Sequence, residues 1–264
     1  MQFTNISQAK KQAKLSYIGS TNSSAKIIKG IKKNVDTFIV YLAPFYLSGY
    51  NVCPKATIDG CVKSCLHKSG RNTILIKGQT ETTIDRVRIV KTKLFFEERD
   101  FFNAWVISEI KTAYNKATSK GRDFSVRFNG TSDINIETIK QGNKNLFELF
   151  PHIQFYDYTK VYNRLQLTKK YPNYHLTFSY SGGNILECFK ALQEGYNVAV
   201  PFYKVLPTTF AGYKVINGDE TDLRYMDESN VIVGLKYKIV RGKKEADILS
   251  NYFIIKQGNK LCVY

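Results

Sequence analysis

Four short apolar segments, each followed by a mixed polar and apolar stretch, are the feature that most constrains this chain. Successive segments lie about 20 to 30 residues apart, which is room for a strand, a helix and two turns. Strands that alternate with helices form parallel βαβ units. The segments are FSVRF (124–128), HIQFYDY (152–158), YHLTFSY (174–180) and NVAVPFY (197–203). The spacing suits an α/β barrel or an open sheet, and we expect a partial TIM-like (βα) barrel.

The regions on either side of these segments complete the predicted architecture. TFIVYLAPFYL (37–47) is a dense apolar run that predicts a first buried strand. Residues 84–118 carry aromatic and aliphatic residues at helical spacing, and the C-terminal segment is richer in strand-forming residues. We therefore divide the chain into three regions, namely a basic N-terminal arm (1–33), an α/β domain (34–240) and a C-terminal strand or hairpin extension (241–264).

The charge of the chain indicates an anionic partner. Lys and Arg number 39 against 22 Asp and Glu, which gives a net charge of +17. The arm alone holds seven Lys and no acidic residue. An excess of this size attracts nucleic acid, nucleotides and acidic surfaces. A solvated basic surface without a dedicated partner is the alternative.

A cluster of cysteines gives the strongest chemical signal. Cys53, Cys61 and Cys65 follow the pattern C-x7-C-x3-C in a loop (51–71) that comes after the first predicted strand. Thiolates bind soft and borderline metals, so this loop predicts a metal site. Three thiolates can hold a [4Fe–4S] cluster and leave one iron open to a substrate or to a further residue. We expect such a cluster, with Cys53, Cys61 and Cys65 as its ligands.

Zinc is the alternative metal for the same loop. His67 would complete a Cys3His set with the three cysteines, although only one residue separates it from Cys65. The remaining cysteines, Cys188 and Cys262, lie in segments with core-like apolar patterns. Each is therefore predicted to be a structural thiol more readily than a fourth cluster ligand.

Polar residues follow three successive predicted strands and indicate a ligand pocket. In βα architectures ligands bind at the carboxyl ends of the strands. Glycine at such an end permits close backbone approach, and hydroxyl, amide and carboxylate groups can hold a cofactor. A pure helix cap is the alternative role for the first group. The candidate cofactor-binding residues are Asn129, Gly130, Thr131, Ser132 and Asp133 after one strand, Asp157 and Lys160 after the next, and Ser179 and Ser181, with Asn184 close behind them, after the third.

Several function classes find no support in the sequence. It contains no GxxxxGK[ST] loop, no GxGxxG after a strand and no GxSxG elbow, which argues against P-loop ATPases, dinucleotide dehydrogenases and α/β-hydrolases. No segment approaches the ~18 consecutive apolar residues of a membrane span, and the N-terminus lacks the apolar run of a secretory signal. We therefore expect no membrane partner and a cytoplasmic location.

Several motifs in order resemble the gene-product-eighty-eight-like family of tailed phages. The resemblance implies a viral origin, hence the cytoplasm of an infected bacterium or association with the virion, and it implies no established activity. The motifs run from about Asn51 to Lys238 and are CPKATIDGCVKSCL, RFNGTSDI, FYDYTK, LTFSYSGGN, GDETDLRYMDE and IVGLKYK.

A weaker resemblance is to radical S-adenosylmethionine enzymes. In that family a loop after the first barrel strand carries three cysteines, usually as C-x3-C-x2-C, which hold a [4Fe–4S] cluster that chelates S-adenosylmethionine. This resemblance implies a radical-type enzyme acting on a nucleotide, nucleic acid or peptide. The alternatives are a nucleic-acid-binding protein or a virion-associated protein, each with a structural metal site.

Overall fold

The computed structural model describes residues 6–56, 61, 62, 64, 65, 67, 81–238 and 251–264. The helices are α1 (Ile6–Ala13), α2 (Phe45–Ser48), α3 (Thr83–Glu97), α4 (Arg99–Thr118), α5 (Leu146–Leu149), α6 (Leu167–Lys170) and α7 (Ile185–Gln193). The strands are β1 (Gly19–Thr21), β2 (Val35–Val40), β3 (Asp123–Arg127), β4 (Lys140–Gln141), β5 (Lys144–Asn145), β6 (Gln154–Thr159), β7 (Tyr174–Ser179), β8 (Val198–Phe202), β9 (Thr209–Phe210), β10 (Tyr213–Asn217), β11 (Ile232–Lys236) and β12 (Cys262–Val263).

The fold is α/β with a large, mostly parallel sheet, which confirms the predicted fold class. The four apolar segments FSVRF, HIQFYDY, YHLTFSY and NVAVPFY form β3, β6, β7 and β8. The predicted partial TIM-like barrel is not confirmed. A closed barrel requires its first and last strands to pair with each other. In the part of the chain that the structure describes, β1 and β12 are short, antiparallel end strands that each pair with one neighbour, so the sheet stays open.

The chain divides into two compact units. The first unit comprises Met1–Pro54, Ile74–Asp157 and Tyr171–Tyr174. In this unit β2 pairs with β1 in antiparallel and with β3 in parallel orientation, and β3 continues in parallel to β6. Every residue of β2 is buried, as expected of a parallel strand that is covered on both faces.

Two long helices of the first unit occupy the region predicted to be helical. Helix α3 begins with a capping box in which the Thr82 hydroxyl accepts from the Asp85 N–H and the Asp85 carboxylate accepts from the Thr82 N–H. The helix ends at Glu97, and α4 starts again at Arg99 after Glu98 leaves the helical conformation with φ −129°. The predicted single helical region is therefore two helices. Buried α4 side chains, Trp105 among them, form much of the core of this unit.

The residues assigned to an N-terminal arm contribute to the first unit from residue 6 onward. They form α1, β1 and a 3₁₀ helix over Ile27–Lys33. Ile18 and Ile27 are buried, and Gly19 of β1 pairs with Val40 of β2. The lysines of this segment are thus attached to ordered secondary structure.

Two of the stretches that follow the apolar segments, where the alternation of strands and helices predicts helical structure, form only short helical turns. NGTSDINIETI (129–139) contains only a 3₁₀ turn over Ile136–Thr138. Within it the Asn129 side chain bonds to the Ile134 backbone, and the Thr138 hydroxyl donates to the Asn135 carbonyl oxygen. Such local bonds compete with helix formation. TKVYNRLQLTKKY (159–171) forms a 3₁₀ helix over Tyr162–Gln166 and the single turn of α6.

The second unit comprises Lys55–Thr73, Tyr158–Lys170 and His175–Tyr264. Its strands β7, β8, β11 and β10 are parallel neighbours, and β9 pairs in antiparallel orientation with β10 and β12. The predicted C-terminal extension supplies β12, in which Cys262 pairs with Phe210. Its first part, residues 241–250, lies outside the described residues.

Candidate functional site

The loop 129–133 of the first unit is seated on the backbone that follows β2. The Gly130 N–H donates to the Val40 carbonyl oxygen over 2.9 Å, and the Thr131 hydroxyl donates to the Leu42 carbonyl oxygen over 2.7 Å. A Cβ atom at Gly130 would lie 2.6 Å from that Val40 oxygen. Glycine is therefore required here because the two backbones approach so closely.

A buried network fixes the same loop to β6. The Asp157 carboxylate accepts the Asn129 N–H over 2.6 Å, and it also accepts the Tyr174 hydroxyl over 3.3 Å. The Asn129 side chain in turn accepts from the Ser132 hydroxyl over 2.7 Å and from the Ile134 N–H over 3.0 Å. The predicted residues Asn129, Ser132 and Asp157 are thus brought together. Their described hydrogen bonds run within the protein and hold the loop in shape.

The predicted residues of the loop 129–133, together with Asp157, fall into two groups by their exposure to solvent. Asn129, Ser132, Asp133 and Asp157 are buried. Gly130 and Thr131 are partly exposed. A ligand at this edge would therefore meet Gly130 and Thr131, with the buried group acting as their support.

Cys53, the first thiol of the metal-site prediction, lies beside this loop in the first unit. Its Sγ is 4.0 Å from the Thr131 carbonyl oxygen, and its N–H donates to the Asn51 side chain over 2.9 Å. The thiol is partly exposed. The turn that Asn51 closes places the thiol at the carboxyl ends of β2 and β3, the edge where parallel sheets bind ligands.

Cys61 and Cys65 belong to the second unit, and both are partly exposed. Between them the buried Ser64 hydroxyl accepts from the Asn251 side chain over 2.8 Å. The Tyr237 hydroxyl also lies 3.4 Å from the Ser64 oxygen. The turn that carries these two cysteines is therefore tied to the C-terminal part of its own unit. No pattern in the sequence indicates this tie.

The donor set has the chemistry of a soft-metal site. However, among the residues that the structure describes, no group of three or more His, Cys, Asp or Glu side chains is placed to hold a metal ion. Residues 57–60, 63, 66 and 68–80 of the surrounding loop lie outside the described residues. His67, the fourth ligand in the zinc alternative, is buried.

The two cysteines outside the loop differ in exposure, because Cys188 is buried and Cys262 is partly exposed. Cys188 is buried in α7, and burial raises its pKa to about 12. Burial also raises the pKa of Cys262, although its hydrogen bond to Tyr264 acts in the opposite direction. A raised pKa keeps a thiol protonated and thus a poor metal ligand.

Ser179 and Ser181, predicted strand-end residues of the second unit, form a closed turn with Asn184. The Asn184 side chain accepts from the Ser181 N–H over 2.8 Å and donates to the Ser179 carbonyl oxygen over 3.1 Å. Ser181 is buried, whereas Ser179 and Lys160 are partly exposed. The position of Asn184, three residues after Ser181, is the sequence signal for such a side-chain-closed turn.

A buried lysine of the first unit was not among the predicted residues. Lys91 of α3 is only 3% exposed, and its Nζ lies 4.1 Å from the centre of the Tyr17 ring. Burial lowers the pKa of Lys91 to about 7, against an opposing effect of Glu109 and with a further lowering by Arg88. The sequence alone does not indicate that Lys91 points into the core.

We expect this lysine to make stability rise with pH. The pKa of Lys91 is about 7 in the folded chain and 10.5 for a free side chain. Between these values the unfolded chain holds a proton that the folded chain has lost, so unfolding becomes less favourable as the pH rises. The gain from pH 7 to 9 should be about 2 kcal/mol. Urea denaturation of the wild type and of Lys91→Met should show it, with a flatter profile in the variant.

Lys93→Met is the matched control for this measurement, because Lys93 is exposed on the same helix. It should keep the wild-type pH profile. Equal profiles for the wild type and Lys91→Met would show that Lys91 does not titrate in this range.

Comparison with known proteins places the chain in one family. The model of a family described as Gene product 88 matches residues 3–251. The phage resemblance seen in the sequence motifs is thereby confirmed and extended to nearly the whole chain. No curated protein and no solved structure matches the chain, so the radical S-adenosylmethionine resemblance gains no support from them. Within the described part of the chain, no helix has the length and apolar character to cross a membrane.

Proposed function

We propose that this chain, which belongs to the gene product 88 family of phage proteins, binds a [4Fe–4S] cluster through Cys53, Cys61 and Cys65. The observation that carries the proposal is the position of Cys53. Its thiol stands partly exposed beside the Thr131 carbonyl group, at the carboxyl ends of two parallel strands. The other two thiols follow within the same 13-residue segment and are partly exposed as well.

The proposal includes gathering of the three thiols when the cluster forms. Metal sites often assemble only when the metal binds, because the ligands must lose their protons and binding is coupled to folding of the site. This coupling of assembly to metal binding supports cluster binding by the three cysteines of the loop.

Three protein ligands leave one iron of such a cluster open, and in radical enzymes that iron supplies electron transfer to bound S-adenosylmethionine. The protein's own contribution is then to position a ligand. Gly130 and Thr131 are partly exposed, the Thr131 carbonyl group lies beside Cys53, and Asp157 holds the loop that carries them. We propose that the protein is a radical-type enzyme that acts on a nucleotide, a nucleic acid or a peptide.

Anaerobic purification of the full-length chain tests the proposal. We expect absorbance near ~400 nm and about four iron and four sulfide per chain. The Cys53→Ala/Cys61→Ala/Cys65→Ala variant should lose at least ~90% of the iron, because it removes every proposed thiolate ligand. The measurement is elemental analysis for iron, sulfide and zinc beside an absorption spectrum.

Cys188→Ala/Cys262→Ala is the matched control, since it removes thiols outside the loop and should keep the iron. Release of 5′-deoxyadenosine from S-adenosylmethionine by the reduced protein would support the enzymatic part of the proposal. Equal iron loss in both variants, or a wild-type protein with one zinc and no iron, would overturn cluster binding by this loop. The zinc outcome would favour a structural metal site in a nucleic-acid-binding or virion-associated protein.

A further inference from the structure

The second unit contains an open cavity, lined mostly by exposed side chains, that lies apart from the cysteine loop in sequence. Its volume is about 580 Å³, and it is formed by the 3₁₀ helix Tyr162–Gln166, by α6 and by the C-terminal part of α7. Leu165 is buried and forms the apolar part of the lining. A volume of this size falls within the range of small-molecule sites, about 300 to 1,000 Å³.

The lining of this cavity is strongly basic. Lys169 and Lys170 come from α6, and Lys190 comes from α7. Glu194 is the single acidic residue of the lining. Three ammonium groups against one carboxylate favour an anionic ligand, and ammonium groups are common ligands of phosphate.

An aromatic residue positions one of these lysines. The Lys190 Nζ lies 4.7 Å from the centre of the Tyr162 ring, within the range of a cation–π contact. The ring itself packs edge-on against Phe178, with 5.9 Å between the ring centres and an interplanar angle of 83°. Burial and the nearby Glu194 carboxylate raise the pKa of Tyr162, so its hydroxyl stays neutral and does not repel an anion.

We propose that this cavity binds the phosphate of a nucleotide. The lysines would contact the phosphate, while the amide side chains of Asn163 and Gln166, which also line the cavity, can bond to the edge of a base. An inorganic phosphate ion is far smaller than the cavity, which leaves space for a nucleoside. The same phosphate chemistry is offered by a free nucleotide and by a nucleotide of a single strand.

Binding measurements with two probes test this site. Calorimetry with ATP represents the free nucleotide, and fluorescence anisotropy with a labelled 12-nucleotide oligothymidylate represents the strand. Lys169→Gln/Lys170→Gln/Lys190→Gln should weaken binding of the recognised probe at least tenfold. For the oligothymidylate, the salt dependence of log K should also become shallower by about 0.7 for each phosphate that a lysine no longer neutralises.

The control is Lys116→Gln/Lys140→Gln/Lys144→Gln, which removes the same charge from exposed positions of the first unit. It should change affinity less than twofold. Binding of either probe with this selectivity supports the site, and the probe that binds identifies the source of the phosphate. Equal weakening in both variants, or no binding of either probe at ~1 mM, overturns it. Iron content is expected to be the same in both lysine variants. The test of nucleotide binding by the cavity is therefore separate from the test of cluster binding by the cysteines.

Discussion

Replacing Asp157 with alanine is expected to lower the free energy of unfolding by about 3 to 5 kcal/mol. The side chain is fully buried and accepts from the Asn129 N–H and the Tyr174 hydroxyl. Alanine would leave both donors buried without this acceptor, and each such donor costs about 1 to 3 kcal/mol. Urea denaturation followed by circular dichroism measures the change.

Two further variants separate the causes of this loss. Asp157→Asn keeps the shape and one acceptor oxygen, so it should lose less stability than Asp157→Ala. Asp123→Ala removes an exposed carboxylate from the adjacent strand β3 and should change stability by less than about 0.5 kcal/mol. A loss at Asp157→Ala no larger than that of the Asp123 control would show that the network does not support the loop.

The parallel strands could be predicted because buried strands leave a strong pattern. FSVRF, HIQFYDY, YHLTFSY and NVAVPFY each became a strand within two residues of the predicted limits. A buried parallel strand must be apolar over its length, and turn-forming residues then delimit it. Closure into a barrel is different in kind. Closure depends on whether the two edge strands pair with each other. The residues of Gly19–Thr21 and Cys262–Val263 contain no local pattern that indicates such pairing.

The polar residues at the strand ends show why site prediction from sequence is harder. Asn129, Ser132 and Asp157 were predicted to bind a cofactor, and the structure brings them together as a buried network. Polar side chains that support a loop and polar side chains that bind a ligand have the same composition and the same place after a strand. Only burial and hydrogen-bond partners separate the two roles. The sequence also does not indicate the helix break at Glu98, because neither Gly nor Pro lies there.

Glu109 makes a long-range contact that the sequence does not indicate. It lies on the long helix α4, yet its carboxylate binds a segment some ninety residues earlier in the chain. It accepts the N–H groups of Ile18 and Gly19 over 3.0 and 2.9 Å and the Trp105 indole N–H over 2.9 Å. Burial raises the pKa of Glu109, and these hydrogen bonds together with Lys91 oppose that rise.

Replacing Glu109 with alanine should lower the free energy of unfolding by about 3 to 5 kcal/mol, because three donors lose their acceptor at once. The effect should concentrate at the N-terminus. Hydrogen exchange at Ile18 and Gly19 is expected to rise more than exchange at β3, which keeps its parallel neighbours. Asp100→Ala, an exposed carboxylate in the first turn of the same helix, should cost less than about 1 kcal/mol. If both variants lose equal stability, or if exchange at Ile18 and Gly19 stays at the wild-type rate, then Glu109 does not hold the N-terminal strand to the helix.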